Sequence, residues 1–364
     1  MRMVAGWARD AGLEPALDPH GNLWAARDGD GPVASSGSHV DTVPDGGRYD
    51  GALGTVLALE AAAVAPDAPI ALLVCAAEEA PRFGAGTLGS RLAVGTLDEA
   101  ALDRLRDTGG TTARAARDAF LRELSDLPRI EALPLERVHR HVEVHVEQRH
   151  ELRGRGAQLG VVAQVAAPHR HEIVVDGVAG HAGEVAMADR RDALAAAAEL
   201  VLALEAAARA APPPTVATVG AMRVEPGAVS AVPGRVTLEL EARGIDPDAI
   251  AAVEADLGAA IDDVTRRRGV QVHRRLLRDG CAVALDAPLV EAARRAAARL
   301  GIEAVTTHSG AGHDAQHLAS RAPCALLFVP LVGGESHTPQ EEADVHAIAA
   351  AANVLVELLT RWDG

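Results

Sequence analysis

A chain of 364 residues exceeds what one ordinary hydrophobic core organises and points to about two domains. With 48% hydrophobic and 24% charged residues it reads as globular, not disordered. A formal net charge of -16 leaves no excess of Lys and Arg to displace counterions, and 2% aromatic residues supply neither base-stacking platforms nor interfacial belts, so neither nucleic acid nor a membrane is the expected partner.

Val4, Trp7, Ala8 and Ala11 share one face of a first helix. From Pro32 to Gly89 the pattern is strand, loop, helix, strand: an apolar run to Ser36, the segment HVDTVPDGGRYDGALG, a helix from about Leu53 to Ala65, and a buried strand over 70–77. Charged helices follow between Asp98 and Leu127, then a strand over 139–148. That strand alternates His141, Glu143, His145 and Glu147 with Val142, Val144 and Val146, the pattern of a half-buried strand with one solvated face.

A second unit reads as strand 171–178, helix 189–211, strands 215–224 and 235–243, helix 247–268 and strand 270–277. This βαββαβ order closes as a ferredoxin-like α+β sandwich. A helix over 289–300, a strand over 325–330 and a helix over 345–362 then return to α/β character. The expectation is an α/β domain with a mostly parallel sheet, in two segments (1–167 and 280–364), interrupted by the inserted unit 168–279.

Ligand sites in such sheets lie at the carboxyl ends of strands, where the polar clusters of this chain fall. A water-activating dimetal site needs nitrogen and oxygen ligands, a carboxylate able to bridge, and a separate base. His39 and Asp41 form an H-x-D pair at a spacing where the carboxylate can orient the imidazole. Asp50 stands in a Gly-rich turn before a helix, adjacent Glu78 and Glu79 point different ways in extended geometry, and His145 and His337 lie at or beyond later strands. Each of these alone is an ordinary surface or core residue; their joint occurrence at strand ends is the signal.

Rival motifs fare worse. Gly84, Gly86 and Gly89 spell GxGxxG without the strand and acidic residue of a dinucleotide site, Ser309 lacks a GxSxG elbow, and Cys75 sits inside an apolar strand. The three cysteines form no CxxC pair, the opening MRMVAGWARD has no apolar leader core, and no apolar run of about 20 residues occurs, so a reduced, cytoplasmic setting is expected.

In order along the chain, GSHVDTVPDGGRYDGALG, EEAPRFGAGTLGSR, HVEVHVEQ, GHAGEVAM, VPG with EAR, SGAGHDA and SHTP resemble the amidase, hydantoinase and carbamoylase branch of the M20 metallopeptidase-like family. The resemblance implies two divalent cations per subunit, Zn2+ or Mn2+. His39, Asp50 and His145 would hold one, Asp50, Glu79 and His337 the other, with Asp50 bridging. Glu78 would be the general base. His181, from the inserted lid, would stabilise the oxyanion in the neighbouring subunit of a homodimer made through that lid. Gln148, Arg243 and His313 match substrate-contacting positions, and Ser230 stands where the family commonly has an asparagine. HVEQRH and HAGEVAM depart from the usual forms, and the helical segment that commonly precedes the first helix is not represented, as in a truncated start.

The implied reaction is hydrolysis of an amide or ureido C–N bond in a small carboxylate-bearing substrate, with allantoate foremost. An N-carbamoyl-L-amino acid or β-ureidopropionate is the alternative. A different class of function, a non-catalytic dimeric small-molecule binder, requires that the metal positions be empty of metal.

Overall fold

The computed structural model describes residues 1–361. It divides into two compact units, one formed by Met1–Val165 with Ala284–Gly364 and the other by Ala166–Val283.

The first unit is built on a nine-stranded sheet. Its centre is four parallel neighbours, Ile70–Val74, Val33–Ser36, Val138–Val146 and Cys324–Val329. IALLV and CALLFV are apolar throughout and buried throughout, as strands covered on both faces must be. Helices Ala52–Val64, Ala287–Arg299 and Val345–Arg361 pack on the sheet, and the short helix Asp314–Leu318 packs on its two middle strands and on helix Leu88–Val94. Trp362, the last residue expected in the final helix, lies outside the described residues.

Several elements escaped the sequence. Glu14–Leu17 and Leu23–Ala26 form an antiparallel hairpin at one edge, its turn closed by the Asp18 carboxylate, which accepts from the backbone N–H of His20 and Asn22 at 2.9 and 2.8 Å. Strand Leu159–Val165 runs antiparallel to Cys324–Val329 and pairs in parallel with Ala304–Ser309. The hairpin strands, at four residues each, are too short to display a period.

The second unit is a four-stranded antiparallel sheet in the order Gln271–Arg278, Ala167–Asp176, Arg235–Gly244, Val216–Glu225. Two helices, Ala193–Ala210 and Pro247–Arg268, pack on each other and on this sheet around a core of their own. The second helix has its signals in the sequence: Asp246 caps the N–H of Asp248 at 2.9 Å, Pro247 opens the first turn, three arginines fill the last, and Gly269 ends it at φ +63°. Among the described residues no helix is long and apolar enough to cross a membrane.

Candidate metal centre

The four central strands deliver their polar residues to one end of the sheet. His39 follows strand Val33–Ser36, Glu78 and Glu79 follow Ile70–Val74, His145 is the penultimate residue of Val138–Val146, and His337 lies beyond Cys324–Val329. Asp50 enters from the turn ahead of helix Ala52–Val64. That turn needs Gly51, at φ +67°, because a Cβ there would lie 2.4 Å from the His39 ring. Ala77 and His337 also hold left-handed backbone, φ +52° and +59°, so strain gathers at this end of the sheet.

Asp50 is the centre of the arrangement. Its Oδ1 lies 3.3 Å from His39 Nε2 and 3.0 Å from His145 Nε2, and its Oδ2 lies 3.1 Å from His337 Nε2. Glu79 Oε1 is 3.5 Å from His337 Nε2, and Glu78 Oε2 is 3.8 Å from His39 Nε2. The two glutamates thus serve opposite ends of the group. Two potential metal sites result, His39–Asp50–His145 and Asp50–Glu79–His337, sharing Asp50.

The charges are arranged around that carboxylate. Burial works to raise Asp50, but His145, His337 and His39 outweigh it and hold the carboxyl far below its ordinary range. Burial pushes Glu78 well up, reinforced by the carboxylates of Asp314, Glu79 and Glu143 against the opposing pull of His39. Glu79 is raised by burial and then by Asp50.

These residues suit a pair of divalent cations. Imidazole and carboxylate donors are those of Zn2+ and Mn2+ sites. Glu79 Oε1 is buried without a hydrogen-bond partner among the described residues, an orphaned acceptor that a cation would satisfy. His39 Nδ1 lies 2.9 Å from the Asp41 backbone carbonyl, which fixes Nε2 as the free ligand atom, and His145 Nδ1 does the same with the Val146 carbonyl at 3.0 Å. The Asp41 carboxylate has a different task from the imidazole contact expected of it. It stands 3.8 Å from His39 Nδ1 and accepts instead from the backbone N–H of Glu78 and Glu79 at 3.3 and 3.0 Å.

Gln148 reaches the centre, its Nε2 3.1 Å from both Asp50 Oδ2 and His337 Nε2. His313 is placed behind the centre, 1% exposed, its ring edge-on to His145 at 4.6 Å between centroids. One of its ring nitrogens accepts from the Gln316 backbone and Nε2 meets Ser309 Oγ at 2.8 Å. The Ser309 hydroxyl is engaged locally, donating to the Ala311 carbonyl at 2.9 Å and accepting from the Ala311 N–H at 3.1 Å.

His181, Ser230 and Arg243 belong to the second unit. His181 is exposed and its Nδ1 accepts from the Gly183 N–H at 3.1 Å; Ser230 is exposed, its carbonyl accepting from Ala182 N–H in the ladder Gly180–His181 with Ala231–Val232. Arg243 is the penultimate residue of strand Arg235–Gly244 and ion-pairs with Glu241 at 2.7 Å.

The half-solvated reading of the strand at 139–148 is overturned. His141, Glu143, His145 and Glu147 are all at most 2% exposed, because this strand is central and covered on both faces. Glu143 consequently becomes a structural acid that the sequence did not single out, accepting from Ser38 Oγ and from the Ala315 backbone N–H, both at 2.8 Å. Asp314 beside it accepts from Ser90 Oγ at 2.5 Å. Cys75 is buried, as expected of a core residue.

Residues 36–361 match the profile of peptidase family M20/M25/M40. The chain is 33% identical over 362 residues to the N-carbamoyl-L-amino acid amidohydrolase of Geobacillus stearothermophilus, covering 97% of this chain and 88% of that one. It is 30% identical over 397 residues to the allantoate deiminase of Arabidopsis thaliana, covering 98% and 75%. A hydantoinase/carbamoylase family amidase from Burkholderia ambifaria superimposes with a TM-score of 0.85 at 33% identity, covering 98% and 88% of the two chains. With six acid and imidazole side chains gathered at the strand ends of the same fold, the chain belongs to the M20/M25/M40 family, in its hydantoinase/carbamoylase branch of metal-dependent amidohydrolases.

Proposed function

We propose that the protein hydrolyses a ureido C–N bond in a small carboxylate-bearing substrate, with allantoate as the substrate. The observation that carries the reaction is Asp50 shared between two ligand groups with the Glu78 carboxyl alongside. His39, Asp50 and His145 would hold one divalent cation and Asp50, Glu79 and His337 the second, as Zn2+ or Mn2+. Such a pair, when bound, lowers the pKa of water and polarises the scissile carbonyl.

Glu78 takes a proton from the attacking water and returns it to the leaving nitrogen. His181 donates to the developing oxyanion, a contribution typically of about 3 to 4 kcal/mol per donor. Arg243 binds the substrate carboxylate through its bidentate fork, in exchange for its present partner Glu241. Gln148 and His313 orient the ureido group, and Ser230 shapes the pocket. Assembly as a homodimer through the second unit fits the exposed outer strand Val216–Glu225 of its sheet, which carries Val216 and Met222 outward. The reading includes a cytoplasmic location, consistent with three free cysteines.

Allantoate is favoured by GRYDG and by GHAG followed by valine two residues later, which look more like the allantoate group than the carbamoylases. The similarity to an N-carbamoyl-L-amino acid amidohydrolase supports the second reading, an N-carbamoyl amino acid or N-carbamoyl-β-alanine. Parallel assays of these substrates, with Mn2+ or Zn2+ added, decide between them. Allantoate is expected to give the highest kcat/KM by at least about 10-fold, the difference of about 1.4 kcal/mol that one pocket contact supplies. A carbamoyl amino acid turned over faster reverses the substrate. No turnover, with no metal in the purified protein, supports the binding-protein alternative.

A further inference from the structure

Glu341 is 0% exposed, yet it lies in a polar stretch, PQEEAD, where acids are ordinarily solvated. Its Oε1 accepts from the backbone N–H of Tyr49 at 2.8 Å and of Asp50 at 3.0 Å. Its Oε2 accepts from Ser336 Oγ at 2.8 Å, and that hydroxyl is also 3.2 Å from Asp50 Oδ2. Gly47 is shaped to admit it, since a Cβ there would sit 2.2 Å from the Glu341 carboxyl carbon. The stretch is closed by the bridge between Leu331 and Ala343. A carboxylate withdrawn from water costs several kcal/mol unless its lone pairs are filled, and here they are filled by groups from two loops that each carry a metal-site residue.

We propose that Glu341 is a positioning residue that sets the site of the second cation, tying the backbone of Asp50 to the loop of His337. The proposal rests on the ligand assignment under Proposed function. His337 is the ligand that most needs such a tie. Its side chain is 45% exposed and its backbone is left-handed, whereas His39, Asp50 and His145 are held by burial. Glu341 also decides where one proton goes. Ser336 has a single hydroxyl hydrogen and two acceptors, and the shorter bond takes it to Glu341. Asp50 Oδ2 is thereby spared the Ser336 hydrogen, and the Gln148 amide remains as its hydrogen-bond donor, so one more lone pair is open to a cation.

The test is the Glu341→Gln variant. The amide oxygen must face the two backbone N–H groups, so the amide NH2 faces Ser336 and turns the hydroxyl hydrogen onto Asp50 Oδ2. Titration of metal-stripped protein with Mn2+ or Zn2+, read by calorimetry, is expected to show one equivalent weakened about 10- to 100-fold and the other changed less than about 3-fold. Adding Ser336→Ala in the Glu341→Gln background removes the misdirected hydrogen and is expected to restore the weakened equivalent to within about 3-fold of wild type. Unchanged binding in Glu341→Gln, equal weakening of both equivalents, failure of Ser336→Ala to restore it, or loss of a cooperative melt in Glu341→Gln each overturns the proposal. Wild type that does not take up two equivalents overturns instead the ligand assignment on which it rests.

Discussion

Glu78 and Glu79 are adjacent in the chain but their carboxylates face different histidines, one 3.8 Å from His39 Nε2 and the other 3.5 Å from His337 Nε2. The Asp41 carboxylate fixes this divergence by gripping the N–H groups of both residues. Their substitutions are therefore separable. Glu78→Gln keeps the shape of the side chain but cannot carry a proton between water and leaving group, so kcat is expected to fall about 10²- to 10⁴-fold with two metals retained. Glu79→Gln puts an amide where the orphaned acceptor stands, and one metal equivalent is expected to be lost on dialysis while the other stays. Elemental analysis beside steady-state kinetics reads both, and exchanged phenotypes would reverse base and ligand.

At the scale of elements, several of the candidate positions were legible because they follow a strand whose apolar run is unmistakable, as IALLV precedes Glu78 and Glu79 and CALLFV precedes His337. What could not be read is burial imposed by a second layer. The alternation in strand Val138–Val146 looks solvated until helix Asp314–Leu318 covers its polar face, and Glu341 looks like a surface acid until the bridge at Leu331 and Ala343 folds it inward. Helix Asp314–Leu318 is itself held by buried acids, and one of them has a measurable signature. Burial, with Glu143 adding to it, pushes Asp314 up to about 7. A carboxyl whose folded pKa is raised stabilises the fold when protonated, fully below its unfolded value and progressively less as pH rises through about 7. Between pH 5.5 and 8 the metal-free protein is expected to lose about 2 kcal/mol that Asp314→Asn does not lose. Denaturant melts of the two proteins at both pH values measure the difference, and parallel slopes would show that Asp314 is ionised throughout.

The whole molecule divides its chemistry between its units. Glu78 and the five candidate ligand positions belong to the first, whereas His181, Ser230 and Arg243 belong to the second, whose core is separate and whose outer strand Val216–Glu225 is open along one edge. If the second unit makes the dimer and delivers His181 to the partner's site, neither subunit contains a complete site, and activity depends on assembly. The consequence is specific for a pair of inactive variants, His181→Ala and Glu78→Gln. In a mixed dimer with His181 acting across the interface, one site carries both lesions and the other carries neither, so about half of wild-type activity per mixed dimer is expected to return. With His181 serving its own subunit, each site of the mixed dimer keeps one lesion and nothing returns. Subunit exchange is verified independently by mass labelling, and size-exclusion of each parent confirms that the variants still assemble. Activity rising with the mixed fraction would place His181 in the partner's site, and a flat response with exchange complete would confine each site to one chain and leave His181 to act within its own subunit.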